Sequence, residues 1–175
     1  MSGDQTEPGP KVACDAMCGG LARWLRVLGV DAFYEPAIDD AELVAVGLRE
    51  RRVVISSDHR LFERGVFARG ELRGLHLPVG LRLAQQVRFA TAALGVRPGQ
   101  PRCTRCNGTL LAIPRADVGD QVPARTLIWR REFFRCGQCG HVFWEGTHWR
   151  RIGKVREAAT DGTAAQQNAA GRRPA

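Results

Sequence analysis

The sequence predicts an α/β fold, in which helices cover a parallel sheet, followed by a small cysteine-rich unit. Two observations support this prediction. Over the first hundred residues, short apolar segments of strand length alternate with amphipathic segments of helical period, which is typical of a parallel sheet buried on both faces. After the turn-forming segment VRPGQP, the composition changes to Cys, Gly, Trp and Arg, which indicates a second structural unit.

Four short apolar segments are predicted to form the strands of the sheet. Each is bounded by charged or turn-forming residues and is too short for a typical helix. The third is rich in β-branched residues, which favour strands. The predicted strands are Val12–Cys14, Ala32–Tyr34, Val53–Ser56 and, within the segment GLHLPVG, residues 74–80.

The first predicted helix begins near Leu21. Its leucines repeat with a helical period and form one apolar face, whereas Arg23 and Arg26 lie opposite that face. Gly29 follows the last periodic residue and is predicted to end the helix.

Two further helices complete the first unit. Asp39 is predicted to cap the second helix, with Glu42 three residues later as its partner in a capping box. The third helix is predicted over residues 81–95, where apolar residues recur with a helical period. Between them, the polar and turn-rich segment DHRLFERGVFARGEL predicts a short helix.

The chain divides into four predicted regions. Residues 1–10 form a disordered lead, residues 11–97 the α/β domain, residues 101–152 the cysteine-rich unit, and residues 153–175 a basic and largely disordered tail. The N-terminus has no apolar signal core, and no apolar segment reaches the roughly 18 residues of a membrane span. We therefore expect a cytoplasmic protein without a membrane partner.

The positive charge is concentrated in the second half of the chain. Residues 1–100 contain 13 basic and 12 acidic residues, so their net charge is +1 against +8 for the whole chain. A one-sided basic excess favours a polyanionic partner, above all a nucleic acid. The alternative is a solvated basic tail without a partner.

Acidic residues follow the first three predicted strands. These are Asp15, then Asp39 and Asp40, and then Asp58. In an open α/β sheet, ligands bind outside the carboxyl ends of the strands, and oxygen ligands favour hard cations such as Mg²⁺ or Mn²⁺. The alternative is that Asp39 or Asp40, and likewise Asp58, cap helices. Ser56 or Ser57 could donate a hydrogen bond to such a carboxylate or to a phosphate.

Two Cys-x-x-Cys pairs predict a structural zinc site. Four thiolates at this spacing are typical of closed tetrahedral zinc centres, and the residues between the pairs, VPARTLIWRREFFRC, predict strands of a small ribbon. His141 and His148 follow the last pair as alternative ligands, although four cysteines already complete a tetrahedron. The predicted ligands are Cys103, Cys106, Cys136 and Cys139.

Aromatic and basic residues near the end of the ribbon are candidates for contacts with RNA. Trp149 adjoins Arg150 and Arg151, and Lys154 follows in the tail. Such a group could stack on bases and contact phosphates, or the tryptophan could belong to the ribbon core. His59 and Arg60 are further candidates for a phosphate contact, and the alternative is that both are solvated.

Five segments together resemble one family over residues 11–152. In chain order they are CDAMCGGLARWLRVLGVDAFY, DDAEL, VVISSDHRLFERG, PRCTRCNGTL and FRCGQCGHVFWEGTHW. It is the family named for the C-terminal domain of the mutator-seven exonuclease, a PIN-like ribonuclease fold followed by a zinc ribbon. The resemblance implies a metal-dependent ribonuclease. It also implies that Asp15, Asp40 or Asp39, and Asp58 are the acidic site residues, with Glu42 and Glu63 as candidates for a fourth acid.

Three classes of function are compatible with these patterns. The first is a ribonuclease whose zinc ribbon and basic tail hold RNA. The second is a catalytically inactive PIN-like protein that binds RNA, a ribosome or another ribonucleoprotein. The third is a DNA-binding regulator, which rests on the ribbon and the charge alone.

Overall fold

The computed structural model describes residues 9–144, which form an α/β unit and a small antiparallel ribbon. The predicted RNA contacts Trp149, Arg150, Arg151 and Lys154 lie outside the described residues. So do His148, most of the predicted lead and the whole of the predicted tail. The boundaries proposed for those regions stay predictions.

The α/β unit contains a parallel sheet of four strands in the order β2-β1-β3-β4. All neighbouring strands run parallel, with Cys14 opposite Tyr34 on one side and Ile55 on the other. The predicted α/β class with a parallel sheet is thus confirmed. The strands are β1 (Val12–Cys14), β2 (Ala32–Tyr34), β3 (Val53–Ser56) and β4 (Gly74–His76).

Helices cover both faces of this sheet, as predicted. Successive residues of one strand point to opposite faces, so Cys14 and Ala13 belong to two separate apolar clusters, and both are fully buried. The first cluster packs under α1 and α5, and the second under α2 and α3. The helices are α1 (Gly19–Val27), α2 (Asp40–Glu50), α3 (His59–Phe62), α4 (Gly65–Ala68) and α5 (Leu83–Leu94).

The predicted helix ends at Gly29 and Asp39 are confirmed. Gly29 has a φ of +92°, and a Cβ atom there would lie 2.8 Å from the carbonyl oxygen of Gln100, so only glycine fits without strain. Asp39 caps α2, because its Oδ1 accepts a hydrogen bond of 2.9 Å from the backbone N–H of Glu42.

We expect Asp39→Ala to lower the free energy of unfolding by about 1 kcal/mol, because it leaves a first-turn N–H of α2 without its acceptor. Asp39→Asn is the matched control, since asparagine caps helices about as well as aspartate. Denaturant unfolding of both variants measures the difference. Equal losses in the two variants would contradict the assignment of this side chain as a cap.

The second unit is an antiparallel sheet in the order β5-β6-β7. A strand was predicted across residues 122–136, and this is wrong for its first part. Residues Ala124–Trp129 form a helix, α6, and only Phe133–Cys136 are a strand. The helix is favoured because it turns Leu127 onto the buried cluster around Phe133. The strands are β5 (Leu110–Ile113), β6 (Phe133–Cys136) and β7 (Val142–Trp144).

A polar network around Arg26 joins the two units. The sequence pattern placed Arg26 opposite the apolar face of the first helix, yet the residue is only 3% exposed. Its Nε donates to the carbonyl oxygen of Ala32 at 2.8 Å. Its Nη1 donates to the carbonyl oxygens of Thr104 at 3.0 Å and Arg105 at 3.3 Å. The second unit therefore docks on the end of α1 and buries the guanidinium group.

Asn107 extends this network to the edge of the parallel sheet. Its Oδ1 accepts a hydrogen bond of 3.1 Å from the N–H of Ala32 in the edge strand β2. Its Nδ2 donates to Asp31 at 2.7 Å, and the same carboxylate oxygen accepts from Arg52 at 2.7 Å. The second unit thereby satisfies part of an exposed strand edge, which proteins generally protect. Within residues 9–144, no helix has the length and apolar character required to cross a membrane.

Candidate active site and metal centre

Asp15 lies at the carboxyl end of the central strand β1 and is only 9% exposed. Its backbone N–H donates to the carbonyl oxygen of Ile55 at 3.0 Å, which fixes it beside the end of β3. The hydroxyl of the fully buried Ser56 donates to Asp15 Oδ2. Of the two serines considered from the sequence, Ser56 is therefore the one that contacts a carboxylate.

Asp58 is linked to Asp15 through the same hydroxyl group. The backbone N–H of Asp58 donates to Ser56 Oγ at 2.9 Å, while Ser56 donates to Asp15. The Asp58 side chain also caps α3, since its Oδ1 accepts from the N–H of Arg60 at 2.9 Å. The expected cap is thus present, and the other carboxylate oxygen of Asp58 has no partner among the described residues. Arg60 is exposed on α3.

Asp39 and Asp40 have partners of their own at the start of α2. Asp39 Oδ1 accepts the hydrogen bond from the backbone N–H of Glu42. Asp40 Oδ2 lies 3.0 Å from Nη2 of Arg64, and both side chains are about 40% exposed, at 43% and 41%. Exposed ion pairs of this kind contribute little to stability, so Asp40 can exchange Arg64 for another cation at small cost.

A histidine pair, His59 and His76, lies at the same edge, and of the two only His76 was missed from the sequence. His76 ends β4 directly opposite Ser56 of β3, and its ring centroid lies 5.5 Å from that of His59. His59 Nε2 in turn lies 3.8 Å from the carboxylate of Glu63. The one available signal was the position of His76 at the end of a predicted strand, where parallel strands place their ligands.

The carboxylates do not form a closed cage for a cation. Among residues 9–144, the four cysteines are the one group of three or more potential ligands whose atoms lie close together. Asp15 and Asp58 place two acidic residues at this edge of the sheet, and Mg²⁺ commonly binds one or two carboxylates together with several waters and a substrate phosphate. Asp40, on α2, is paired with Arg64 and makes no hydrogen bond to this group.

The four thiol groups of the ribbon are positioned to bind one metal ion. Their Sγ atoms all lie within 4.8 Å of one another. Two of the distances, between Cys103 and Cys139 and between Cys106 and Cys136, are 3.6 Å and 3.3 Å. A zinc–sulfur bond of about 2.3 Å in a tetrahedron requires sulfur atoms about 3.8 Å apart. The donor set therefore fits Zn²⁺, and the unit is compatible with a zinc ribbon.

Backbone N–H groups are directed at the sulfur of Cys136. The N–H groups of Gln138 and Cys139 lie 3.4 Å and 3.5 Å from this atom. Burial raises the pKa of the Cys136 thiol, but these N–H groups and the neighbouring thiols outweigh burial and lower it to about 6. A thiolate near neutral pH is the form that binds a metal. Left-handed Asn107 and Gly140 follow the two pairs and complete both turns.

A family model described as the Mut7-C RNAse domain matches residues 10–156. The chain belongs to this family. No curated protein and no solved structure matches the chain. The match begins before β1 and ends after β7, so the Mut7-C RNAse domain includes both the parallel sheet and the cysteine ribbon. This agrees with the family suspected from the sequence and indicates a ribonuclease-related function.

Proposed function

We propose that this Mut7-C RNAse domain is an Mg²⁺- or Mn²⁺-dependent ribonuclease that hydrolyses RNA phosphodiesters. The observation that carries the proposal is the Asp15–Ser56–Asp58 group at the carboxyl edge of the sheet, in which the Ser56 hydroxyl joins the buried carboxylate of Asp15 to the backbone N–H of Asp58. In a chain of an RNase family, this edge is where an α/β sheet binds its ligand. The proposed metal ligands are Asp15, Asp40 and Asp58.

A divalent cation held by these carboxylates would polarise a phosphoryl oxygen and generate hydroxide near neutral pH. Ser56 holds Asp15 in one orientation through its hydroxyl group. The exposed Arg60 lies near Asp58 and is suited to orient a phosphate. We assign Asp39 to capping α2 rather than to the cation.

The four-cysteine centre is proposed to hold structural Zn²⁺. Four thiolates leave no open position for a substrate, which favours a structural role over a catalytic one. The ribbon and the basic tail would hold RNA, with Trp149, Arg150, Arg151 and Lys154 as contacts. The tail residues 153–175 contain four basic and two acidic residues.

A second candidate function is that of an inactive PIN-like protein that binds RNA or a ribonucleoprotein such as the ribosome. The separation of the acidic groups favours it. Asp40 is paired with Arg64, and Asp58 serves as a helix cap. A measurement of metal-dependent cleavage distinguishes this candidate from the enzyme.

The test compares cleavage of end-labelled RNA before chelation, after brief EDTA treatment and after addition of Mn²⁺. We expect brief EDTA to stop cleavage, because carboxylates release hard cations readily, and Mn²⁺ to restore it. The four-thiolate centre should keep its metal on this timescale, so the circular dichroism spectrum should not change. RNA binding without cleavage under every metal condition would identify the inactive candidate instead.

A further inference from the structure

Helix α6 exposes an aromatic residue and an apolar residue on the surface of the ribbon. Trp129 is 81% exposed and Ile128 is 67% exposed. On the same helix, Leu127 packs against the buried cluster of the ribbon. The helix is therefore oriented by Leu127, and burial in the ribbon does not account for the large side chain at its end.

Arginine residues flank this tryptophan. Arg125 lies four residues before Trp129, which places the two on one face of the helix. Arg130, whose backbone is extended, and Arg131 follow directly after the end of α6. Arg125 and Arg131 are exposed, and Arg130 is half-buried. We call Arg125, Trp129, Arg130 and Arg131 the α6 surface.

The guanidinium groups of this surface have no acidic partner among the described residues. Arginines elsewhere in the same structure do pair, as Arg52 does with Asp31 and Arg64 with Asp40. Glu132 is the one acidic residue between positions 121 and 135. The local charge is therefore positive and available to an anionic ligand.

An exposed indole flanked by guanidinium groups matches the chemistry of a single nucleic-acid strand. Unpaired bases stack on aromatic side chains, and the phosphates between them contact arginine. A duplex hides its base faces between stacked neighbours, so an exposed indole has no base face to stack on along a duplex. The combination of Trp129 with the three arginines therefore favours a single strand.

We propose that the α6 surface is a binding site for single-stranded RNA, in which a base stacks on Trp129 and phosphates contact Arg125, Arg130 and Arg131. It is distinct from the contacts assigned above to Trp149 and the residues after it. The choice of RNA rests on the proposed function, whereas the stacking site rests on the exposure and charge of α6.

The test measures binding of a fluorescein-labelled 12-nucleotide RNA to the full-length, zinc-loaded chain by anisotropy, without added divalent cations. We expect Trp129→Ala to weaken binding roughly 10-fold, because the variant has no aromatic ring on which the base can stack. Trp129→Phe should retain most of the affinity. The Arg130→Ala/Arg131→Ala variant should show a weaker salt dependence of binding. The slope of the logarithm of the binding constant against the logarithm of the salt concentration should become shallower by about 0.7 for each phosphate that is no longer neutralised.

Arg88→Ala is the matched control, because it removes one exposed arginine from α5 of the α/β unit. Its affinity and salt slope should stay close to those of the wild type. A Trp129→Ala variant that binds as tightly as the wild type overturns the proposal, as does a wild-type chain that binds no RNA or binds duplex as well as single-stranded RNA.

Cleavage of the same RNA in Mn²⁺ is recorded in parallel, so that failure of the site and failure of the enzyme are separable. Weaker binding by Trp129→Ala in a chain that never cleaves supports the site and contradicts the ribonuclease. Metal-dependent cleavage combined with unchanged binding by Trp129→Ala supports the ribonuclease and overturns the site.

Discussion

Asp15→Asn is expected to reduce metal-dependent RNA cleavage by about 10³-fold or more, while RNA binding and the fold are retained. The substitution removes the buried negative charge proposed to hold the cation, whose contribution to catalysis is several kcal/mol. The side chain keeps its size, and its amide oxygen still accepts the hydrogen bond that Ser56 donates to Asp15. Loss of activity should therefore not reflect unfolding. Initial cleavage rates in Mn²⁺ and RNA affinity measured without it are the two readouts.

Asp58→Asn should behave in the same way, because asparagine can still cap α3. The matched control is Glu71→Gln, which neutralises an exposed carboxylate paired with Arg69 before β4. It should cleave RNA at the wild-type rate. Wild-type rates for both Asp15→Asn and Asp58→Asn would show that the catalytic site lies elsewhere in the chain.

Local features of the fold were predictable from the sequence. The strands β1, β2 and β3 are short apolar segments whose ends coincide with charges or turns, and the structure gives them the predicted limits. Asp39 and Gly29 act at helix ends through contacts within a few residues or through backbone conformation. The four cysteines were identifiable because metal-binding pairs have a fixed spacing.

Features that depend on distant contacts were not predictable in this way. Arg26 has the helical position of an exposed residue, but its partners Thr104 and Arg105 are almost eighty positions away. Helix α6 was predicted as strand because its apolar residues do not reveal which of them faces a core. The contact of Leu127 with the ribbon cluster decides that question. Tertiary contacts thus override the local pattern at both places.

The candidate site likewise combines features that the local sequence predicts with features that depend on distant contacts. The sequence predicted that acidic residues follow the strands, and the structure joins Asp15 to Asp58 through Ser56. It did not predict the partner of Asp40, because Arg64 lies 24 residues further along the chain. His76 was missed for a related reason. Its position becomes significant only when β4 is aligned with β3, opposite Ser56.

The network between the units contains a half-buried carboxylate whose charge depends on its partners. Burial of Asp31 raises its pKa, but hydrogen bonds from Arg52 and Asn107 outweigh burial and hold the pKa below its ordinary value of 3.8. A group with a depressed folded pKa stabilises the fold above its unfolded pKa and loses this contribution as the pH falls. The contribution of Asp31 to stability should therefore be complete at neutral pH. It should begin to decrease as the pH falls below about 3.8.

Arg26→Met should lower stability more than protonation of Asp31 does, and at every pH. The substitution removes the guanidinium group that donates hydrogen bonds to the carbonyl oxygens of Thr104 and Arg105. We expect the free energy of unfolding to fall by about 3 kcal/mol, because part-buried acceptors lose their donors. Arg23→Met on the exposed side of the same helix is the matched control and should change stability by about 0.5 kcal/mol or less. Denaturant unfolding measures both variants.

Release of zinc to a chromogenic chelator should also be faster in Arg26→Met, because the turn that carries Cys103 and Cys106 is no longer held against α1. Equal stability and equal zinc release in the two variants would mean that the units fold and bind metal independently.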